Sequence, residues 1–442
     1  MQQPKIMNQP TKNFTTRREF LGTSSAALGG ALAAPAILSS NLFADVNSDT
    51  LRVGLIGCGG RGSGAADEAL KADKNVILVA VGDAFEGRLQ SSLKNLQTEH
   101  PDKVKVTPDK CFIGLDAYQK VIDSGVDLVI LATPPGFRPA HIKAAVAAGK
   151  HVFTEKPMAT DAPGVRSVLA SVEEAKKKNL AMVAGFCYRY HHGVVALMQK
   201  VHDGEIGEVR AIYNTYNTSG VWSPFPRQPE WTDLQYQVKN WYYYTWLSGD
   251  HLVEQAVHNI DKLAWVMKDE PPVKCVAHGG RQSRTAPEFG HIFDHFSVVY
   301  EYANGVRGFH FSRQQNSCAN DSSDHFMGTE GVADIVTSFS GPFIVRGKTK
   351  WRFREEPPTN MYQNEHNELF ASIRAGKPIN DGVRMAHSTL LAIMGRMAAY
   401  TGQEITWEQA MNSQENLAPA IQDWNSPASV PPVAVPGQTK FI

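Results

Sequence analysis

The chain has 442 residues, 42% hydrophobic and 20% charged, which is enough apolar material to bury two cores. Lys+Arg and Asp+Glu balance at 44 each, and without residues 1–44, which hold four cations and one anion, the count is 40 against 43, a net of −3. That balance gives no electrostatic case for nucleic acid or an anionic lipid surface as partner, and five scattered cysteines without a CxxC pair argue against a disulfide framework or a structural zinc site.

The N-terminus departs from the rest in composition. "TTRREFL" (15–21) places Arg17 and Arg18 before an uncharged run rich in Ala, Gly and Leu, and Ala44 closes the segment. This is similar to a twin-arginine signal, so residues 1–44 are expected to be removed after export of the folded protein to the periplasm. No other uninterrupted apolar run is long enough to span, and no stable membrane insertion of the mature protein is expected.

From residue 51 the pattern alternates short apolar runs with amphipathic ones. Strands are expected at 51–57, 75–83, 126–135 and 151–157, with helices at 139–150 and 163–179 between or after them and a last strand in 180–190. That rhythm predicts an α/β fold: a Rossmann-type, doubly wound parallel sheet forming a dinucleotide-binding domain over 45–178. Stricter alternation at 207–217, 272–282, 296–314 and 331–339 predicts a second domain, 179–415, built on an antiparallel sheet with one face packed and the other free for a ligand or a partner subunit. Helices are expected at 365–376 and 383–402, and the proline-rich end, 416–442, reads as an extended arm.

"VGLIGCGGRG" sets Gly57, Gly59 and Gly62 as G-x-G-x-x-G, with Gly60 and Arg61 in the same turn, at a strand-to-helix junction suited to a pyrophosphate. Asp83, 21 positions after Gly62, ends the second strand where a carboxylate would accept the ribose hydroxyls. It favours NAD, while Arg88 keeps NADP open. "ATPP" brings Thr133, Pro134 and Pro135, and "TEKP" brings Glu155 and Lys156, to the carboxyl edge of the same sheet.

With "GCGGRG", Asp83, "ATPP", "AAVAAGKHVFTEKP" (144–157) and "DGEIGEV" (203–209) in this order, the chain resembles the Gfo/Idh/MocA oxidoreductases from about residue 50 to beyond 400. The resemblance implies a substrate-binding α+β domain with a large, mainly antiparallel open sheet through which copies form a homo-oligomer, and a nicotinamide-dependent oxidation or reduction of a sugar or polyol with Lys156 as the catalytic lysine. It also implies a D-x-x-x-H pair on a helix of the second domain. Here His258 and Asp261 match the end of that pattern, and Glu254 stands where the family has Asp.

The stretch 248–267 reads as one amphipathic helix with His251, Glu254, His258 and Asp261 opposite an apolar stripe. Glu254 and His258 are then i,i+4 neighbours, so Glu254 is expected to orient His258, the favoured base, while Lys156 steadies alkoxide charge; Lys156 as base is the alternative. Tyr188, Tyr190, Trp241, Tyr244 and Trp246 are expected beside a carbohydrate, together with His251 and Asp261. No metal is expected on His251, Glu254 and His258.

The resulting expectation is an NAD-dependent oxidoreductase acting on a secondary hydroxyl, at C3 for choice, with its cofactor tightly held through export. The alternatives are an NAD-dependent glycosidase working by transient C3 oxidation and elimination, and a noncatalytic sugar sensor.

Overall fold

The computed structural model describes residues 49–337, 340–355 and 357–442. The signal-like segment 1–44 therefore lies outside the described residues. Six strands, β1 (Leu51–Ile56), β2 (Val76–Asp83), β3 (Cys111–Ile113), β4 (Leu128–Leu131), β5 (His151–Thr154) and β6 (Met182–Ala184), form an all-parallel sheet in the order β3-β2-β1-β4-β5-β6. The order reverses between β1 and β4, leaving a crevice at their carboxyl ends where such sheets take ligands.

β3, Cys-Phe-Ile, is half-exposed and only three residues long, too short a run to signal a strand. β6 pairs with β5, so the first domain extends past the expected boundary at 178. Helix Met361–Arg374, far along the chain, also packs its Leu369 and Phe370 into the core of this domain.

The second sheet has nine strands: β7 (Val209–Thr218), β8 (Lys274–Gly280), β9 (His295–Glu301), β10 (Arg307–Gln314), β11 (Asp324–Gly328), β12 (Val332–Ile335), β13 (Phe343–Arg346), β14 (Lys350–Arg352) and β15 (Ile405–Thr406). They run β14-β13-β12-β11-β7-β10-β9-β8-β15, antiparallel throughout except where β10 lies parallel to β7. β9 alternates buried and half-buried positions, with helices Val257–Val266 and Gly382–Thr401 against the inner side. On the other side Tyr213 and Val276 are exposed.

Gly305, at φ +83°, makes the tight turn between β9 and β10 that "ANG" announces. The arm follows the body closely. Leu417 N–H donates to Asp161, the Thr232 hydroxyl to the Trp424 carbonyl, and the Trp424 ring stacks on Phe85 at 5.5 Å. No helix of the described residues is long and apolar enough to cross a membrane.

Candidate active site

At the end of β1 the chain must turn into helix Gly60–Ala72 within a few residues. Gly57 does this at φ +97°, where a Cβ would stand 2.6 Å from the Ala132 backbone; at Gly62 a Cβ would fall 1.9 Å from the Gly57 carbonyl oxygen. Gly60 faces open space, and Gly59 caps the helix without a side-chain bond, so the first N–H groups of a 13-residue helix stay free for an anion.

Asp83 ends β2 beside this turn, its carboxylate accepting from Cys58 N–H at 2.7 Å and Phe85 N–H at 2.9 Å. Burial pushes its carboxyl up, against the pull of those bonds and of Arg88. Lys239, which sequence reasoning overlooked, lies 4.0 Å over the Phe85 ring, and burial, then Arg88, pushes its ammonium down. Asp83, Phe85 and Arg88 line one cleft of about 930 Å³, together with Arg61, Thr133, Pro134, Glu155, Lys156, Glu254 and His258. Open glycines at a helix start, an acid at the end of β2 and the crossing point of the sheet fit a dinucleotide.

The charged end of the cleft is interlocked. Arg61 pairs with Glu155 at 2.8 Å and with Glu68, and lies 4.8 Å over the Tyr362 ring. Buried Arg138, from the first turn of helix Arg138–Ala147, donates to the Pro157 carbonyl at 2.6 Å and so grips the residue after Lys156; burial brings its guanidinium down to about 10. Lys156 Nζ donates to Glu254 Oε1 at 2.8 Å and to the Glu254 carbonyl oxygen, with the lysine 8% and the glutamate 5% exposed.

That last bond has a cause in the backbone. The expected single helix is two, His251–Glu254 and Val257–Val266. Between them the N–H groups of Gln255 and Ala256 both bond the His251 carbonyl, the second closing an i→i+5 turn, and His258 N–H goes to the Gln255 carbonyl. The Glu254 carbonyl, which an unbroken helix would have paired with His258 N–H, is released and accepts the lysine. The same turn rotates Glu254 away from the row of His258. The expectation that Glu254 orients His258 is thus corrected: its carboxylate holds Lys156.

His258 instead leans on rings, edge-to-face with Tyr188 at 5.3 Å, and its buried Nδ1 has no hydrogen-bond partner. Burial, then the ammonium charges of Lys156 and Lys262, hold the imidazole well below its usual range, hence neutral.

Several expected residues do not reach the cleft. His251 is buried against Ser312 Oγ (3.2 Å) and the Phe293 carbonyl (3.3 Å), and Asp261 receives Arg189 at 2.9 Å and the Ser388 hydroxyl at 2.7 Å. Tyr188 supports His258 from behind. Tyr190 bonds Asp381, Tyr244 is core, and the Trp246 indole donates to Gln237 at 2.7 Å. Pro135 is buried at the start of a single turn whose Phe137 lines the cleft. His251, Glu254 and His258 do not converge; among the described residues metal-ligand proximity occurs only at Asp67, Glu99 and His100, away from the cleft.

Of the expected aromatics only Trp241 lines it. Sequence reasoning missed Trp222, Phe225, Tyr118, Gln255 and His141. His141 could have been noticed as a polar residue on the apolar face of its helix. It stacks 4.0 Å from Tyr118, and burial, then Arg138, brings it down to about 3.

Residues 51–186 match the model of an oxidoreductase family with an NAD-binding Rossmann fold, and 194–334 match the GFO/IDH/MocA C-terminal domain. The chain is similar to an inositol 2-dehydrogenase of Rhizobium meliloti, 24% identical over 346 residues, 76% of this chain and 93% of the relative. It resembles in fold an aldose-aldose oxidoreductase from Caulobacter crescentus complexed with glycerol (TM-score 0.64, 18% identity, 81% of this chain, 99% of the other). A levoglucosan dehydrogenase in complex with NADH and levoglucosan is comparable (TM-score 0.63, 18% identity, 81% and 99%).

Proposed function

This chain belongs to the Gfo/Idh/MocA oxidoreductases, with an NAD-binding Rossmann domain, and from that premise we propose that it oxidises a secondary hydroxyl of a sugar, glycoside or polyol, at ring C3 for choice. The observation that carries the reading is the meeting, in one cleft, of the glycine turn and Asp83 with Lys156, Glu254 and His258. The dinucleotide would be held by Gly57 to Gly62, Asp83, Arg88, Thr133 and Pro134. When bound, NAD supplies the acceptor for the carbinol hydride.

The protein's part is to remove the hydroxyl proton and steady the oxygen it leaves. His258, kept neutral by burial and by two nearby ammonium groups, is open to accept that proton. Lys156, aimed by both oxygen types of Glu254, donates to the substrate oxygen as its negative charge develops. Arg138 fixes the loop that carries the lysine. The products are a ketone, a reduced cofactor and one proton.

The finer reading includes export through the twin-arginine-type segment with cofactor already bound, and pairing of copies over the open face bearing Tyr213 and Val276. The test is to denature the purified mature protein, assay the supernatant for nicotinamide dinucleotide, and follow NADH formation with free sugars, glycosides and myo-inositol. Bound NAD and sugar-dependent NADH are expected. A protein that arrives empty and binds no added NAD contradicts the reading.

A further inference from the structure

The segment between β7 and helix Asp233–Lys239 has no regular structure and carries Pro224, Pro226 and Pro229, yet it is held firmly. Gly220 N–H donates to Asn316 at 2.9 Å, and the Trp222 carbonyl accepts the buried Tyr243 hydroxyl. Asn240, fully buried, accepts Phe225 N–H at 2.7 Å and returns a bond to the Phe225 carbonyl at 3.2 Å. Among the side chains this segment presents to water are two large rings: Trp222 is 37% and Phe225 46% exposed. Large rings held rigidly in solvent mark a recognition surface more often than an accident of folding.

These rings are continuous with the chemistry. Trp222, Phe225 and Trp241 line the same cleft as Lys156, Glu254, Gln255 and His258. The two indoles lie 5.7 Å apart, and Trp222 packs 5.3 Å from Tyr242, so the rings form one continuous ledge. Phe85, at the Asp83 end, is already faced by Trp424 and Lys239.

The geometry points to a second-ring subsite: Trp222, with Trp241 and Phe225, stacks on the C–H face of a sugar ring attached to the one being oxidised. This rests on the reading under Proposed function and narrows it from sugars in general to glycosides carrying a second ring. The indole and phenyl faces meet axial C–H groups of a pyranose and leave its equatorial hydroxyls in water, whereas a bare cyclitol such as inositol would leave the ledge unused.

The test compares NAD-dependent oxidation of glucose with that of cellobiose and maltose, and of galactose with that of lactose and melibiose, by wild-type enzyme, Trp222→Ala and Phe225→Ser. The kcat/KM ratio of the preferred disaccharide to its monosaccharide should exceed about tenfold in the wild type and fall about tenfold in Trp222→Ala, chiefly through KM, with a smaller fall in Phe225→Ser. Disaccharide should also quench or shift tryptophan emission in the wild type and less so in Trp222→Phe. A ratio near one in the wild type, or one that neither variant moves, overturns the subsite while leaving the dehydrogenase reading intact, the rings then serving a contact between copies. Oxidation of no sugar, glycoside or polyol overturns both, and oxidation of myo-inositol alone overturns the subsite only.

Discussion

The two ends of the cleft are built by different means. At the glycine turn the protein offers backbone N–H groups and empty space, all within a few residues of chain. At the other end a lysine is held by a glutamate 98 residues away, an arginine grips the backbone next to it, and a histidine is kept neutral by burial and then by two ammonium charges. A backbone site tolerates no added atoms where the chain closes on itself, at Gly57 and Gly62, but needs no partners. A charged site survives only if each buried ion is paired, so a change to one member is felt by the rest.

Three substitutions sharpen that contrast, beginning with the largest effect. Lys156→Met should lower kcat/KM by about 10³-fold with NAD still bound, since it removes the donor to the substrate oxygen while the glycine turn stays intact; parallel NAD titration and steady-state kinetics separate the two. Gly62→Ala should do the reverse. Its Cβ would stand 1.9 Å from the Gly57 carbonyl, so the turn must open, and NAD affinity should drop about 10²-fold by calorimetry. Glu254→Gln keeps the shape but takes away the charge that aims Lys156, and kcat should fall by about tenfold or more with little change in NAD affinity.

Two smaller effects bear on pH and cofactor choice. Because burial and ammonium charge hold His258 below its usual range, kcat/KM should stay level as pH falls through about 6.5, where a free histidine would take up a proton. Removing one of those cations in Lys156→Met raises the imidazole pKa, so the residual activity should lose its acid limb at higher pH than the wild type, and histidine NMR should follow the same shift. Asp83→Ala, which removes the carboxylate that would meet the ribose hydroxyls and leaves Arg88 in the cleft, should move preference from NAD toward NADP by about tenfold in the ratio of affinities.

The same contrast explains what could be read in the residues. The placement of Gly57, Gly62, Asp83 and Lys156 at one cleft was legible because it follows from local spacing: a turn, a strand end, a loop at the sheet edge. The Lys156–Glu254 bond was not, since Gln255 and Ala256 look like ordinary helix and give no sign that the His251 carbonyl takes two N–H groups. A helical wheel drawn through 248–267 then put Glu254 beside His258 and gave His251 and Asp261 to the cleft, when both are core ion-pair or hydrogen-bond partners of distant segments. The aromatics failed in another way. "NWYYYTW" drew the eye by composition, but Tyr244 and Trp246 pack inward, while Trp222 and Phe225 sit in a proline-rich loop without periodicity.

A crystal structure of the mature protein grown with NADH tests the central claim most directly. The account predicts the adenosine ribose on Asp83, the pyrophosphate over Gly59 and Gly60, and the nicotinamide ring beside Lys156 and His258, with Glu254 still bonded to the lysine. A nicotinamide ring seated away from that pair, or a cofactor lying in the opposite direction along the cleft, would contradict it.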